Sequence, residues 1–212
     1  MTTLYYIHDP MCSWCWGFKP VWTKLQNDLP SKIQVNYLLG GLAKDSNKPM
    51  PQPLQSTIQQ TWHTIQHEIP GINFNFDFWT NNIPRRSTYP ACRAVIAAKK
   101  QNSELEFKII EKIQRAYYLE AKNPSDHNVL INCGKELDLN IKTFTHDISS
   151  TETQNELKNE ICLSRELGAQ GFPSLILNHN NQNYYIEIHY TDAASMLNNI
   201  NEIMTSLELN PC

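Results

Sequence analysis

Cys12 and Cys15 are separated only by Ser13 and Trp14, within Ile7-His8-Asp9-Pro10-Met11-Cys12-Ser13-Trp14-Cys15-Trp16-Gly17-Phe18-Lys19-Pro20. A Cys-x-x-Cys pair can cycle between dithiol and disulfide, or it can ligate a metal. Zinc asks for four ligands, usually a second such pair or two histidines at suitable spacing. His63 and His67 are one helical turn apart but lack a HExxH-type glutamate or a third ligand, so a helix surface explains them and no metal is expected. Redox exchange is the stronger reading of Cys12 and Cys15, with two buried apolar cysteines as the plain structural alternative.

Exchange requires a thiolate, and the flanking residues could supply one. Leu4-Tyr5-Tyr6-Ile7 reads as a short buried strand. Beyond Cys12, the residues Trp14, Phe18, Val21, Trp22 and Leu25 recur at spacings of three and four, the period of an amphipathic helix. Cys12 therefore stands where a strand passes into a helix, at the positive end of the macrodipole and among unpaired N–H groups. Cys-x-x-Cys thiols at such positions have pKa values of roughly 3.5–7.5, against about 8.5 for a free cysteine. Cys15, nearly one turn further in, is placed to close a small ring with Cys12. Pro20 leaves the Trp16 carbonyl without its helical donor, which predicts a kink. Trp14 is expected exposed between the cysteines, with Trp16 and Phe18 packed inward. His8 is a candidate assistant to the thiolate, because histidine gains charge near neutral pH; a structural role at the strand end is the competing reading.

A strand, then Cys12-Ser13-Trp14-Cys15 at a helix start, then Pro20 five residues after the second cysteine, resembles the active-site segment of the thioredoxin fold. Within that fold, Asp9 to Phe18 is similar to the DsbA-like dithiol oxidoreductases, especially their cytoplasmic, FrnE-like branch. Gly168-Ala169-Gln170-Gly171-Phe172-Pro173-Ser174-Leu175 is a second match. In thioredoxin-like proteins a cis-proline opens the strand facing the cysteine pair, and the resemblance puts Pro173 there. Taken alone, Pro173 reads as a trans proline beginning a strand, and only the resemblance favours cis. The resemblance implies a thiol–disulfide oxidoreductase that exchanges with protein or peptide thiols and disulfides, with glutathione a further candidate, and that needs no metal or organic cofactor. Cys12 would attack and Cys15 resolve. Trp14, Phe172 and Pro173 would form the substrate surface, the Phe172 backbone pairing with an extended chain. Where the family's periplasmic members carry Pro-His between the cysteines, this chain has Ser13-Trp14, which removes a histidine able to stabilise the thiolate.

Two other functions compete. Kappa-class glutathione transferases and hydroxychromene-carboxylate isomerases resemble DsbA in fold and serve the glutathione sulfur from a residue near the Cys12 position, commonly serine; the intact cysteine pair argues against them. A binding or chaperone module would use exposed aromatics without chemistry.

The rest of the chain sets limits. Its 212 residues can bury a substantial core, and 41% hydrophobic with 18% charged residues is ordinary for a globular protein. A net charge of −3 gives no footprint for nucleic acid or an anionic membrane surface. Arg85-Arg86 and Lys99-Lys100 read as solvated surface charge. No apolar run approaches the roughly 18–20 residues of a membrane span, and residues 1–9 do not read as a leader, so a cytoplasmic location is expected. In a reducing compartment six cysteines are catalytic or incidental thiols. Cys92, Cys133 and Cys162 are expected in helix cores, and Cys212 as a free thiol in a frayed tail.

Periodicity predicts a strand over 33–39, helices over 54–69, 89–100 and 104–120, a further helix capped by Asp126, and a last one over 152–167. Residues 72–84 read as an aromatic-rich packed loop. A hairpin (173–177 and 184–187) and a helix over 192–207 finish the chain. The plan β-α-β, helical block, β-β-α resembles an α/β thioredoxin fold with a large helical insertion: residues 1–41 and 169–212 form the thioredoxin-like domain, residues 42–168 the insertion.

Overall fold

The computed structural model describes residues 2–209, so the expectation for Cys212 lies outside them. Strand β1 (Thr2–His8) leads into helix α1 (Ser13–Asp28), which continues through Pro20, and the chain returns as β2 (Ile33–Leu39). Seven helices follow: α2 (Gln52–Glu68), the single turn α3 (Phe78–Asn81), α4 (Tyr89–Gln101), α5 (Leu105–Tyr118), α6 (His127–Lys135), α7 (Ile141–Ser149) and α8 (Thr151–Glu166). The hairpin β3 (Ser174–His179) and β4 (Gln182–Ile186) and helix α9 (Ala193–Leu209) complete the described chain.

The four strands form one mixed sheet in the order β2-β1-β3-β4, with β1 parallel to β2 and antiparallel to β3. The alternating side chains of β1 serve two layers. Leu4 and Tyr6 pack with Phe18, Trp22 and Leu25 of α1 and Met196 and Ile200 of α9. Ile7, on the other face, packs with Leu38, Ile176 and Leu167, just past the end of α8. This is the thioredoxin fold with its helical insertion between β2 and β3.

The insertion has its own core around α4, buried on every side from Tyr89 to Ala98. Four alanines and Cys92 let α5, α7 and α8 approach that helix closely. Trp62 of α2 is fully buried and stacks on Phe74 at 4.8 Å, so the loop over 72–84 is indeed packed, apart from α3.

Three expectations are corrected. Helix α7 carries a stripe of Ile141, Phe144 and Ile148, capped by Asn140 accepting from the Thr143 N–H; the sequence reading passed over it because nine residues offer only three apolar positions, although these recur at helical spacing. Asp126 occupies the N-cap position of α6 but makes no cap bond, its carboxylate pairing instead with Arg85. Cys162 is exposed and donates to Glu166 at 3.4 Å, because it falls one position off the buried stripe Leu157, Ile161 and Ser164 of α8.

Candidate active site

Cys12 is the N-cap residue of α1, with φ −83° and ψ 117°. Its N–H donates to the Asp9 carbonyl at 3.0 Å and its own carbonyl accepts from Trp16 at 3.1 Å, so the turn Asp9-Pro10-Met11 delivers the chain straight into the helix. The Cys12 thiol does not cap the helix. It donates instead to the Phe172 carbonyl at 3.4 Å, across 160 residues of sequence. Cys15 lies within the first turn. Both are free thiols, with exposures of 7% for Cys12 and 1% for Cys15, so an incoming group meets Cys12 first. Burial pushes the Cys15 thiol well above its ordinary pKa; its hydrogen bond to Cys12 and the nearby Cys12 charge add to this, while the Asp9 backbone N–H partly offsets it. Cys15 therefore holds its proton and offers it to the Cys12 sulfur.

The residues around the pair are fixed from several elements. Ser13 accepts from the Trp62 indole N–H at 2.8 Å, pinning the cysteine loop to α2. Trp14 is half-buried, with its ring 4.9 Å from Tyr190. Trp16 and Phe18 pack inward, Trp16 stacking on Tyr118 at 5.5 Å. Tyr6 is buried behind Cys15, and burial above all pushes its hydroxyl pKa well up. The Phe172–Pro173 peptide is cis. The Phe172 ring lies against Gly40 at the end of β2, where a Cβ would overlap it, so glycine at position 40 admits the segment that carries the carbonyl facing Cys12.

Asp9 is a residue that sequence reasoning passed over. Its carboxylate is fully buried and accepts from the N–H groups of Met11 (2.8 Å) and Leu42 (2.7 Å), the Thr88 hydroxyl (2.6 Å) and the Cys92 thiol (3.5 Å). One side chain thus ties the cysteine turn, the segment after β2 and the start of α4 together, three residues before Cys12. Burial raises its pKa, and those four donors draw it back. The available signal was a lone carboxylate between a buried strand and a Cys-x-x-Cys pair.

His8 sits at the end of β1, 1% exposed, with its ring 5.2 Å from Tyr6. Burial, then the charge of Lys99, lowers its pKa from 6.5 to about 3. At neutral pH the ring is uncharged, so any assistance to the thiolate has to come from a neutral imidazole.

A cavity of about 510 Å³ opens over Cys12, with Trp14, Gly40, Arg86, Arg165 and Phe172 among its walls. The structure thus gathers Cys12, Cys15, Trp14 and Phe172 at one place, and adds Arg86, whose sequence neighbour Arg85 is an ordinary ion-paired residue. Among the described residues no three His, Cys, Asp or Glu side chains converge as a metal site, and no helix is long and apolar enough to cross a membrane.

Known proteins resemble this chain to different extents. A candidate protein disulfide isomerase from Nitrosomonas europaea superposes with a TM-score of 0.84 at 26% identity, over 97% of this chain and 98% of that one. The cytosolic disulfide reductase DsbM from Pseudomonas aeruginosa gives 0.73 at 23% identity, over 98% and 100%; its structure with GSH gives 0.69 at 23%, over 98% of each chain. The ClpXP adapter protein SpxH of Halalkalibacterium halodurans is 23% identical over 182 residues, 84% of this chain and 59% of SpxH. For SpxH of Bacillus subtilis the figures are 23% over 173 residues, 81% and 56%. The chain spans less than two thirds of the length of these curated relatives. The thioredoxin family matches residues 5–199 and DsbA-like structures share the architecture throughout, so the chain belongs to the thioredoxin family, in the DsbA-like form of its fold.

Proposed function

We propose that the protein is a thiol–disulfide oxidoreductase working through Cys12 and Cys15. The observation that carries this reading is the Cys12 sulfur at the N-cap of α1, on the wall of an open cavity, with the proton-holding Cys15 behind it. In the reducing direction the Cys12 thiolate attacks one sulfur of a substrate disulfide. The substrate S–S bond breaks, one substrate thiolate leaves and takes a proton, and a mixed disulfide remains on Cys12. Cys15 then loses its proton and attacks the Cys12 sulfur. The second substrate thiol departs, and the protein holds a Cys12–Cys15 disulfide while two electrons have passed to the substrate. Oxidation of a dithiol substrate runs the same steps backwards.

Phe172 and Pro173 are proposed to hold an extended substrate, whose N–H would replace the Cys12 thiol at the Phe172 carbonyl once that thiol has ionised. Trp14 shapes the rim and neutral His8 fills the strand end behind it. Protein or peptide disulfides and glutathione are the proposed partners; that DsbM is named as a cytosolic reductase and was solved with GSH supports glutathione and a cytoplasmic setting. Residues 42–168 are proposed as an insertion that roofs the site. The SpxH relatives favour a second reading, an adapter that binds without exchange. An insulin-reduction assay separates the two. Cys12→Ser is expected to lose at least about 100-fold in turnover and Cys15→Ser to accumulate a mixed disulfide; undiminished turnover in Cys12→Ser would rule out the proposed exchange.

A further inference from the structure

The charges lining the Cys12 cavity are all of one sign. Its walls come from the cysteine turn, the glycine pair after β2, α2, the ends of α5 and α8, and the segment before β3, and they include no aspartate, glutamate, lysine or histidine. They do include two arginines, Arg86 and Arg165. In a chain of net charge −3 this is a local reversal.

The two guanidiniums also differ from the arginines that serve the fold. Arg93 is buried and forked onto Asp45 with two contacts of 2.9 Å, and it donates further to the Ile148 carbonyl and to Gln154. Arg85 is neutralised by Asp126. Among the described residues neither Arg86 nor Arg165 has a carboxylate partner. Arg86 is half-buried, and its charge is felt at Tyr117 on the cavity wall; Arg165 is exposed in the last turn of α8, and its charge is felt at Tyr89. A half-buried guanidinium with no anion in reach leaves most of its donors to the cavity. The nucleophile lies in the same cavity, so whatever Arg86 and Arg165 hold is held beside a reacting sulfur.

We infer that Arg86 and Arg165 select carboxylate-bearing small thiols and disulfides at Cys12, of about the size of a short peptide. The volume of about 510 Å³ falls within the range of small-ligand sites. The planar fork of arginine matches a carboxylate bidentately, which orients the ligand as well as attracting it. Unlike strand-type pairing at Phe172, which ignores side-chain charge, this contact discriminates by charge. The inference rests on the exchange chemistry proposed above.

The test uses the fully reduced protein and four aliphatic disulfides: 3,3′-dithiodipropionate (dianionic), glutathione disulfide, hydroxyethyl disulfide (neutral) and cystamine (dicationic). Formation of the Cys12–Cys15 disulfide is followed by mass spectrometry. Each rate is divided by the same disulfide's rate with dithiothreitol, which removes differences in leaving-group reactivity. The normalised rate is expected to be at least roughly tenfold higher for the dianion than for the neutral disulfide, the size of one charge-assisted hydrogen bond. It should be lowest for cystamine, and the preference should shrink at high salt. Arg86→Gln and Arg165→Gln should each reduce the anionic-to-neutral ratio several-fold, and Arg165→Lys should restore part of it. As a readout free of redox chemistry, S-methylglutathione should bind the Cys12→Ser protein and bind less tightly when Arg165→Gln is added. Equal normalised rates for anionic and neutral disulfides, or a ratio and an S-methylglutathione affinity insensitive to both arginines, would overturn the inference. Arginine-dependent binding of S-methylglutathione without reaction of any disulfide would uphold it and overturn the exchange chemistry instead.

Discussion

At the scale of single residues, the site works by giving two like thiols unlike surroundings. Cys12 faces the cavity and its donor bond ends on a backbone carbonyl, whereas Cys15 is sealed in and keeps its proton through burial. Asp9 holds that geometry from below. Asp9→Ala would leave the Met11 and Leu42 N–H groups and the Cys92 thiol without this acceptor and the Thr88 hydroxyl with only the longer contact to the Ala43 carbonyl, and is expected to cost about 2–4 kcal/mol in urea unfolding; a loss under about 0.5 kcal/mol would show that Asp9 does not hold the turn. His8 has a pKa lowered from 6.5 to about 3, so its contribution to stability is complete above pH 6.5 and is lost as pH falls towards 3. By pH 4 that loss is about 3 kcal/mol. His8→Leu should lack this part of the acid limb in stability measured against pH, and an unchanged acid limb would contradict it. The cysteine pair was legible in the sequence because its chemistry lies in four consecutive residues. The roles of Asp9 and Arg86 were not, since Asp9 reaches Leu42, Thr88 and Cys92 and Arg86 shares a cavity with Cys12, contacts between distant stretches of chain that no local pattern records.

At the scale of elements, α8 belongs to the insertion but braces the sheet. Glu160 of α8 accepts from the Leu39 N–H at 2.8 Å, at the last residue of β2 and next to Gly40. Burial raises its pKa from 4.5 to about 7, against the pull of that N–H and of Lys99. A carboxyl raised in this sense supports the fold fully below pH 4.5 and loses that support as pH rises to about 7. Glu160→Gln, which keeps the acceptor and removes the charge, should gain about 1–3 kcal/mol at pH 8 and nothing near pH 4; thermal unfolding at the two pH values checks this, and equal shifts at both would contradict it. Gly40→Ala should displace the Phe172 ring and lower turnover several-fold, a loss visible in the insulin assay, while turnover at the parent level would show that the ring has room to move. Strand β2 was readable to the residue, because Ile33 to Leu39 alternates apolar and polar residues before ending apolar, between two turn signals. Strand β1 runs longer than its apolar stretch because Thr2 and Thr3 find partners in Ile33 and Gln34 of the neighbouring strand, information that periodicity lacks.

At the scale of the whole molecule, two cores meet where the chemistry is proposed. The sheet with α1 and α9 forms one, the α4-centred insertion the other, and Trp62 with Ser13, Asp9 with Thr88, and Glu160 with Leu39 cross between them. The cavity over Cys12 is the gap left at that junction. The order of elements revealed the general plan, but the junction depends on which side chains cross it, and these became visible only when the fold was assembled. The central claim is that Cys12 and Cys15 form one reversible two-electron couple. Equilibrating the protein in thiol–disulfide buffers of graded potential, trapping the thiols and mapping them by mass spectrometry tests it most directly. A single reversible transition confined to Cys12 and Cys15 is expected, within the range of about −270 to −120 mV spanned by known dithiol couples; two cysteines that never join across that range would rule out a redox couple.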